Sequence, residues 1–537
     1  MTNWLKDAVV YQIYPQSFAD SNGDGIGDLR GVIDRLDYIE SLGVDAIWFN
    51  PCFESPFVDA GYDVADYLKI APRYGTNDDM VELIRQAQSR GIRVLLDLVA
   101  GHTSVDHPWF QKELHADGPD PLGDRYVWCK ELPAGWDSDL PGTPAWVKSP
   151  GPREGWYLKN FYDEQPALNF GWVNIDEPFK DAIDAPGPRR NVQALKDIIA
   201  FWLDRGVAGF RIDMAFSLIK DYNRVEAERL AAGIWQEIRL WLDEVYPGTV
   251  LIPEGSEPRN DGPLAFDVDF FLVIFGEHSS LFNNQFAGRL PFHEPRPAYF
   301  DAAGLGTTSI FTNGWNAIKS ENPDRMIMMS SADHDFNRLA CGDRTQEQLG
   351  AAFVMLLTWG TVPAIWYGDE IGMRYLPGMP NVEGAICNPL YNRAGCRTPM
   401  QWDASKNAGF STAESSKLYL PIDPAADRPT VAVQEDDPNS TLNLVRRLTA
   451  LRRATPALRT EASVRVLHSD YPFVYIKNES HVVAVNPSGS RVSVEVAELL
   501  GGVALIEQGV SLVGSSLQLD AFGYAILDRK STRLNSS

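Results

Sequence analysis

Short apolar runs alternate with amphipathic segments over most of the chain. Eight runs have the length and β-branched content of buried strands: Ala8–Tyr14, Val44–Phe49, Ile92–Leu98, Val207–Asp213, Thr249–Pro253, Phe266–Leu272, Met326–Ser331 and Val362–Tyr367. Between them, apolar residues recur at helical spacing in Leu29–Leu42, Asp78–Ser89, Asn191–Asp204, Arg224–Glu244 and Gln346–Thr358. Repeated strand–helix units of this number predict an α/β fold, a closed parallel (β/α)8 TIM barrel.

Two stretches depart from this alternation. Residues 103–171 are rich in Gly, Pro and Trp and are too long for an ordinary loop, which predicts an inserted subdomain after strand three. After a helix at Leu442–Thr455, the strands alternate without helices, which predicts a C-terminal antiparallel β-sandwich. Those strands are Val464–His468, Phe473–Lys477, Val482–Asn486 and Tyr524–Asp528. We therefore divide the chain into barrel (1–102 and 172–458), insert (103–171), C-terminal domain (459–529) and a disordered or non-native tail (530–537).

Composition is that of a large globular protein. The chain has 537 residues, of which 44% are hydrophobic, and a mean hydropathy of −0.22. No apolar run approaches the roughly 18 residues that a membrane-spanning helix needs. The first residues lack the basic and apolar regions of a secretory signal, so none is predicted.

Charge and cysteine usage narrow the partners and the compartment. The formal net charge is −24, which argues against nucleic acid or an anionic membrane as a partner. Five scattered cysteines, odd in number and without C-x-x-C spacing, predict reduced thiols and a cytoplasmic location. They are Cys52, Cys129, Cys341, Cys387 and Cys396.

Charged residues follow four of the predicted strands, at the end where barrel enzymes carry their chemistry. Each has an ordinary alternative, because Asp and Glu cap helices and His often satisfies a backbone group. Carboxylates together with arginine and histidine, and without a phosphate loop or a metal-ligand cluster, favour chemistry through an oxocarbenium-like transition state. The residues are Asp97, His102, Arg211, Asp213, Glu254, Asp333, His334, Asp335 and Arg338.

The best defined of these groups ends the fourth strand. Arg211 and Asp213 are two residues apart, so their side chains share one face of the strand. The neighbouring guanidinium predicts that Asp213 is ionised, as a nucleophile must be. Glu254 follows the apolar residues of strand five, which predicts a raised pKa suited to a proton donor. A structural ion pair is the alternative for Arg211 and Asp213.

The chain resembles the α-amylase family of glycoside hydrolases over nearly its whole length, in the branch of α-glucosidases, oligo-1,6-glucosidases and trehalose synthases. The resemblance implies a barrel with these attachments and retention of anomeric configuration. It also implies that Asp213 is the nucleophile, Glu254 the general acid/base and Asp335 the transition-state stabiliser, with His102 and His334 on sugar hydroxyls and Tyr62 stacked beneath the sugar. The motifs that carry it are Gly43–Pro51, Asp97–His102, Gly209–Asp213, Glu254, Asp333–Asp335 and Gly360–Gly372.

Two further stretches resemble parts of α-glucosidases and transglucosidases. Asp59, in the segment that holds Tyr62, resembles one half of a clasp on a terminal glucose, and Arg397 resembles the other half. Such a clasp blocks longer chains and implies exo action, whereas the alternative is a surface salt bridge worth little. Three departures from the family pattern are Gly101, Ala167 and Met214. Relatives often have a smaller residue directly after the nucleophile, where it distinguishes α-1,4 from α-1,6 linkages. With Met214 at that position, the linkage preference stays open.

An acidic loop after the first strand has the alternating oxygen ligands of a Ca2+ loop. Similar loops in the α-glucosidase branch hold a structural Ca2+ or Mg2+, and the alternative is a series of Asx turns. We assign this metal to stability rather than chemistry and expect no organic cofactor. The proposed ligands are Asp20, Asn22, Asp24, the Ile26 carbonyl and Asp28.

These observations predict a retaining, exo-acting α-glucosidase that acts on short maltose- or isomaltose-like oligosaccharides, as a monomer or homodimer. One alternative is an α-glucosyl transferase or an isomerase of the trehalose-synthase type. A more remote alternative is a catalytically inactive carbohydrate-binding member of the family. The three carboxylates Asp213, Glu254 and Asp335 argue against the last.

Overall fold

Eight parallel strands form the centre of the structure, a computed structural model that describes residues 4–133, 145–221, 223–257, 264–282, 297–388, 391–499 and 502–529. Each strand overlaps one of the predicted apolar runs. The strands are β1 Val10–Ile13, β2 Ala46–Phe49, β3 Arg93–Val99, β4 Gly209–Asp213, β5 Val250–Pro253, β6 Val268–Phe271, β7 Met326–Ser330 and β8 Val362–Trp366.

The strands pair in the order β5-β4-β3-β2-β1-β8-β7-β6. At the seam between β5 and β6, the Asp267 N–H donates to the Leu251 carbonyl at 3.0 Å, so the sheet is nearly closed into a barrel. Side chains alternate across each strand. Val10, Trp48 and Leu95 belong to a small apolar cluster that fills the barrel, whereas Tyr11 and Ile47 belong to the larger core beneath the helices. The predicted (β/α)8 barrel is confirmed.

Helices cover the outside of the barrel. The predicted helix over Leu29–Leu42 is instead two short helices that meet at Arg35, whose guanidinium lies 4.2 Å from the centre of the Trp402 ring. Predicted and observed bounds agree closely elsewhere, except that α5 begins five residues early at Pro186. The helices are α1 Leu29–Asp34, α2 Leu36–Ser41, α3 Asn77–Ser89, α4 Pro108–Leu114, α5 Pro186–Leu203, α6 Arg224–Val245, α7 Gly276–Phe282, α8 Ser309–Glu321, α9 Gln346–Thr358, α10 Val431–Asp436 and α11 Thr441–Ala454.

The segment after β3 contains α4 and a small antiparallel sheet of its own. The sheet pairs Trp156–Lys159 with Trp128–Cys129 on one side and Ala145–Lys148 on the other. Phe110 of α4 stacks on Trp128 with ring centroids 5.4 Å apart, so the helix and the sheet share an aromatic core. Isolated bridges such as His102–Ala167 bring the end of this segment back to the rim of the barrel.

Shorter strands support the rim elsewhere. Phe53–Glu54 pairs with Asp66–Ile70, and Ile386–Asn388 pairs with Tyr391–Asn392.

The C-terminal strands form one antiparallel sheet rather than two separate ones. The long strand β14 pairs with β12 and β11 along successive halves, and residues of both halves, such as Leu517 and Leu527, share one apolar cluster. The predicted strand Tyr524–Asp528 is the second half of β14. The strands are β9 Val464–His468, β10 Phe473–Lys477, β11 His481–Val485, β12 Val492–Glu495, β13 Val503–Val513 and β14 Ser516–Asp528.

Helix α9 joins the barrel to this sheet. Every residue from Gln348 to Thr358 is buried. The other face of the C-terminal sheet covers the helix, and Thr358 Oγ1 lies 2.6 Å from Tyr475 Oη. Lys477 is buried as well, and its ammonium donates to the Trp359 carbonyl at 2.9 Å.

Across the part of the chain that the structure describes, no helix is long and apolar enough to cross a membrane. The tail assigned to 530–537 lies outside the described residues, as does the side chain of Cys387. Cys52, Cys129 and Cys396 are buried free thiols, and Cys341 is buried as well.

Candidate active site

Arg211 is the centre of a cluster of carboxylates at the carboxyl ends of β3, β4 and β5. Its Nη1 donates to Asp97 at 2.8 Å and to Asp213 at 3.1 Å, and its Nη2 lies 3.2 Å from Glu254. The guanidinium and its partners on β3 and β4 are buried. One arginine therefore fixes the relative positions of the two carboxyl groups that the sequence assigns to catalysis.

The pKa of Asp213 is shifted in the direction opposite to the one that Arg211 alone predicts. Burial and the neighbouring Glu254 carboxylate raise the pKa of Asp213 well above its ordinary value, and Arg211 opposes this shift without cancelling it. The sequence showed the arginine but neither the burial nor the second carboxylate. Asp213 must lose its proton before it can attack, and the raised pKa makes that loss harder.

Glu254 is held by the backbone of the residue after Asp213. The Met214 N–H donates to Glu254 Oε2 at 2.6 Å. Met214 has a φ of 43°, in the left-handed region that side chains other than glycine rarely adopt. This turn in the chain directs the amide towards the carboxylate.

Asp335 faces the pair from the loop after β7. It accepts from Arg393 at 3.1 Å and from Arg397 at 3.2 Å, and His334 Nε2 lies 3.3 Å away. Burial alone would raise its pKa, but His334 and the two arginines outweigh burial and hold it well below its usual range. Asp335 is therefore held in its ionised form.

Asp333 has a structural part in the same loop. It accepts from the backbone N–H groups of Asp335, at 2.9 Å, and Phe336, at 3.1 Å. Burial and the nearby Asp335 raise the pKa of Asp333 to about 8.

Tyr62 and the two histidines form the base of the site. Tyr62 stacks on His334 with ring centroids 5.4 Å apart, and its hydroxyl donates to Asp97 at 3.1 Å. His102 Nε2 lies 3.1 Å from the Tyr62 carbonyl, and its Nδ1 lies 2.8 Å from Asn160. Burial lowers the pKa of both histidines to about 3, so both rings are neutral near pH 7.

The clasp pairs Asp59 with Arg393, not with Arg397 as predicted. Arg393 donates to Asp59 at 2.9 Å and to the Gly384 carbonyl at 2.8 Å, in addition to Asp335. Arg397 lies one turn farther along and is fully buried, with its Nε donating to the His334 carbonyl at 2.7 Å. Arg393 begins a short 3-10 helix and Arg397 follows its end, and of the two it is Arg393 that reaches across the rim to Asp59.

The structure also corrects the predicted substrate contact of Arg338. This side chain is fully buried. It donates to the Tyr367 carbonyl at 2.7 Å and to Asp369 at 3.3 Å. Arg338 therefore stabilises the wall of the barrel.

The acidic loop after β1 is held by hydrogen bonds within itself. Asp20 accepts from Gly23 and Gly25, Asp24 accepts from Ile26, and Asp28 caps α1 through Gly31. Across the described residues, no group of three or more His, Cys, Asp or Glu side chains converges as metal ligands do. The donor chemistry suits a hard cation, but the observed bonds are those of Asx turns, and the metal stays a prediction.

Sequence reasoning missed four polar residues around the site. Gln12 and Asn50 lie beneath His334 and Tyr62, and Asn160 and Gln165 come from the segment after β3. Gln12 lies on the apolar strand β1 and Asn50 directly follows β2. A buried amide at such a position needs a hydrogen-bond partner, and this could have pointed to both residues. The other two lie in the segment without periodicity, which gave no signal.

Two carboxylates on adjacent strands of a barrel are bridged by one arginine, and a third carboxylate faces them. This arrangement defines the class of enzymes that cleave or transfer glycosidic bonds. The family model "Alpha amylase, catalytic domain" matches residues 12–239 and 296–461. The chain belongs to the alpha-amylase family, and the predicted resemblance is confirmed.

Individual relatives fall into two groups. The trehalose synthase/amylase TreS of Mycobacterium tuberculosis is 34% identical over 501 residues, which cover 86% of this chain and 76% of TreS. The oligo-1,6-glucosidase of Heyndrickxia coagulans is 32% identical over 555 residues, which cover 92% and 94% of the two chains. Among solved structures, the trehalulose synthase MutB of Pseudomonas mesoacidophila MX-45 has a TM-score of 0.80 at 25% identity and covers 98% of this chain and 100% of its own.

Proposed function

We propose that this enzyme is a retaining, exo-acting α-glucosidase that acts on short α-glucosides. The contact of Arg211 with both Asp213 and Glu254 carries the proposal. It keeps the two carboxyl groups close to a single guanidinium, which is compatible with the separation of about 5–5.5 Å in a retaining pair. Relatives named as oligo-1,6-glucosidases and as a glucan 1,6-alpha-glucosidase support the substrate class.

The reaction then follows from the positions of the three carboxylates. Asp213 attacks the anomeric carbon while Glu254 gives its proton to the departing glycosidic oxygen, which leaves a glucosyl ester on Asp213. Glu254, now ionised, takes a proton from an incoming water or sugar hydroxyl, and the new oxygen bond to carbon displaces Asp213. Asp335, kept ionised by its arginines, binds hydroxyls of the glucosyl ring through both steps.

Exo action is supported by the closed rim of the site. Arg393 joins Asp59 to Gly384, and Tyr162 donates to the same Gly384 carbonyl at 2.9 Å, which ties the segment after β3 to the loop after β8. Gln165 adds a bond to Asp59 at 3.0 Å. In the proposed exo mode, these contacts close the rim to a chain that would continue beyond the terminal glucose.

Glucosyl transfer or isomerisation is the second candidate. TreS and a trehalose synthase of Pimelobacter, 34% and 32% identical, are relatives of comparable similarity. The same covalent intermediate serves both activities, and the acceptor decides between them.

The experiment is a time course of products from maltose, isomaltose and trehalose. Wild type is compared with Asp213→Asn and with Asp324→Asn, which changes an exposed aspartate outside the site. Release of glucose by wild type and Asp324→Asn only, with α-glucose formed first in NMR spectra, supports the hydrolase and retention. New disaccharides with little free glucose favour transfer or isomerisation. No turnover of any α-glucoside would contradict both and favour the inactive binding protein.

Two further assignments complete the proposal. The loop Asp20–Asp28 holds a structural Ca2+ or Mg2+, supported by its donor chemistry and by the family resemblance. The protein is cytoplasmic, which the free thiols among the described cysteines support.

A further inference from the structure

Gln12 is a buried amide directly beneath the catalytic site. It lies on β1 with its side chain pointing into the barrel, and it is fully shielded from solvent. Its Nε2 lies 3.0 Å from Asn50 Oδ1 and 3.3 Å from His334 Nδ1. Gln12 takes no part in the proposed reaction, yet it contacts His334, which lies beside the catalytic carboxylate Asp335.

The direction of the neighbouring hydrogen bonds can be worked out from Tyr62. Three groups surround its hydroxyl: Asp97 Oδ2 at 3.1 Å, Asn50 Nδ2 at 3.1 Å and His334 Nε2 at 2.7 Å. The hydroxyl has one proton to donate. Asp97 is a carboxylate whose other oxygen is bound by Arg211, so it must receive that proton. Asn50 and His334 must then both donate to Tyr62.

The orientation of Asn50 in turn fixes that of the Gln12 amide. Since the Asn50 amide nitrogen faces Tyr62, its carbonyl oxygen faces Gln12, which must present its NH2 group. One proton of that group goes to Asn50 and the other to His334 Nδ1, which must therefore be unprotonated. Both ends of the imidazole ring therefore require the proton to be on Nε2.

We propose that Gln12 is a positioning residue that fixes His334 as the Nε2–H tautomer. The hydrogen bonds run in one direction, from Gln12 to His334, from His334 to Tyr62 and from Tyr62 to Asp97. Gln12 Oε1 is buried, and within the described part of the chain no donor reaches it. The orientation of the amide is therefore set by the two contacts of its Nε2.

The consequence, which rests on the proposed function, concerns the glucose-binding carboxylate. His334 Nε2 lies between Tyr62 Oη and Asp335 Oδ2, so an Nε2–H faces the group that binds the sugar, whereas the other tautomer would present a lone pair to it. The charged groups around the ring are Asp335, with Arg211, Arg393 and Arg397 farther away. Burial lowers the pKa of His334 to about 3, so the neutral ring has a single N–H to place.

The test reads the tautomer directly by 15N NMR on protein labelled at histidine, with His334→Gln to assign the signals. Wild type is expected to show a protonated Nε2 and an unprotonated Nδ1. Gln12→Met removes both donors and should leave a mixture of tautomers. Gln12→Glu places an acceptor at Nδ1 and should raise the pKa of the ring, so that a form protonated at both nitrogens persists to higher pH than in wild type, with a new ionisation in the pH profile of kcat/KM.

Activity supplies the second readout. We expect kcat to fall about tenfold to a hundredfold in both variants, with a smaller change in KM, because geometry is lost around a bound sugar. Gln16→Met is the matched control, since Gln16 is an equally buried glutamine whose side-chain atoms have no partner among the described residues. It should change neither readout.

A protonated Nδ1 in wild type, or a tautomer unchanged by both Gln12 substitutions, would overturn the proposal. The spectra are recorded without substrate, so they are independent of the assigned reaction. If wild type turns over no α-glucoside but shows the expected tautomer, the proposed function fails and the role of Gln12 in setting the ring stands.

Discussion

The backbone of Met214 holds the side chain of Glu254: an N–H in left-handed conformation donates to the carboxylate at 2.6 Å. The nucleophile and the proton donor are thus connected through the chain itself, since Met214 directly follows Asp213. Met214 also contacts the segment after β3, because Asn160 lies 3.7 Å from its sulfur. A substitution at this position therefore acts on the acid/base group without touching its side chain.

Met214→Val should destabilise the protein and misplace Glu254. A β-branched side chain at positive φ is strained, which costs about 1–3 kcal/mol. We expect a lower thermal unfolding temperature and a lower kcat. Met214→Asn is the control, because asparagine tolerates this conformation, and it should unfold near the wild-type temperature. Equal losses for both variants would show that strain is not the cause.

The acidic limb of the pH profile of kcat/KM should lie at a higher pH than the ordinary pKa of an aspartate would give. Asp213 must be ionised to attack, and its pKa is raised by burial and by Glu254, so kcat/KM falls as pH drops through that raised value. Glu254→Gln removes one cause of the shift and should move the limb to lower pH. The measurement uses an aryl α-glucoside whose leaving group needs no proton.

Asp324→Asn serves as the control for this profile and should leave the limb in place. A limb that stays or rises in Glu254→Gln would contradict the assigned coupling between the two carboxylates.

Arg393→Lys should weaken the grip on the terminal glucose. Lysine keeps the charge but cannot reproduce the fork that joins Asp59, Gly384 and Asp335. We expect kcat/KM on maltose-like substrates to fall about tenfold to a hundredfold, as lost charge-assisted bonds imply. Arg374→Lys, which alters an arginine paired with Asp423 at 2.9 Å, should have little effect. The clasp would be discounted if the two variants behaved alike.

Chelation tests the acidic loop. If it holds Ca2+ or Mg2+, EDTA should lower the unfolding temperature, and re-added metal should restore it, because the ion stabilises only the folded state. Asp24→Asn removes an exposed ligand and should abolish the sensitivity to EDTA. An unchanged unfolding temperature for wild type in EDTA would leave Asx turns as the whole explanation of the loop.

The apolar pattern predicted the barrel well, because strands buried on both sides require continuous apolar runs and leave little ambiguity. The charged residues at the strand ends followed from the same pattern. Arg211, Asp213 and Glu254 do converge, since neighbouring parallel strands carry their carboxyl ends to one rim. The break at Arg35 was not predictable, because its cause is a contact with Trp402, far along the chain.

Errors arose where side-chain direction or burial decided the outcome. Arg393 and Arg397 lie four residues apart in a motif that does not show which one faces the rim. The pKa of Asp213 depends on its burial and on a carboxylate that lies 41 positions on, at Glu254. Arg338 follows the same strand as Asp335 yet turns inward to Asp369. Local spacing specifies none of these.

Helix α9 makes the barrel and the C-terminal sheet mutually dependent. A helix that is apolar on every side can keep water away only while both neighbours are present. A gene shortened to end near residue 458 would therefore yield an aggregation-prone product rather than a minimal enzyme. Selection has no simple route to discard the terminal module, even though it supplies none of the groups assigned here to catalysis.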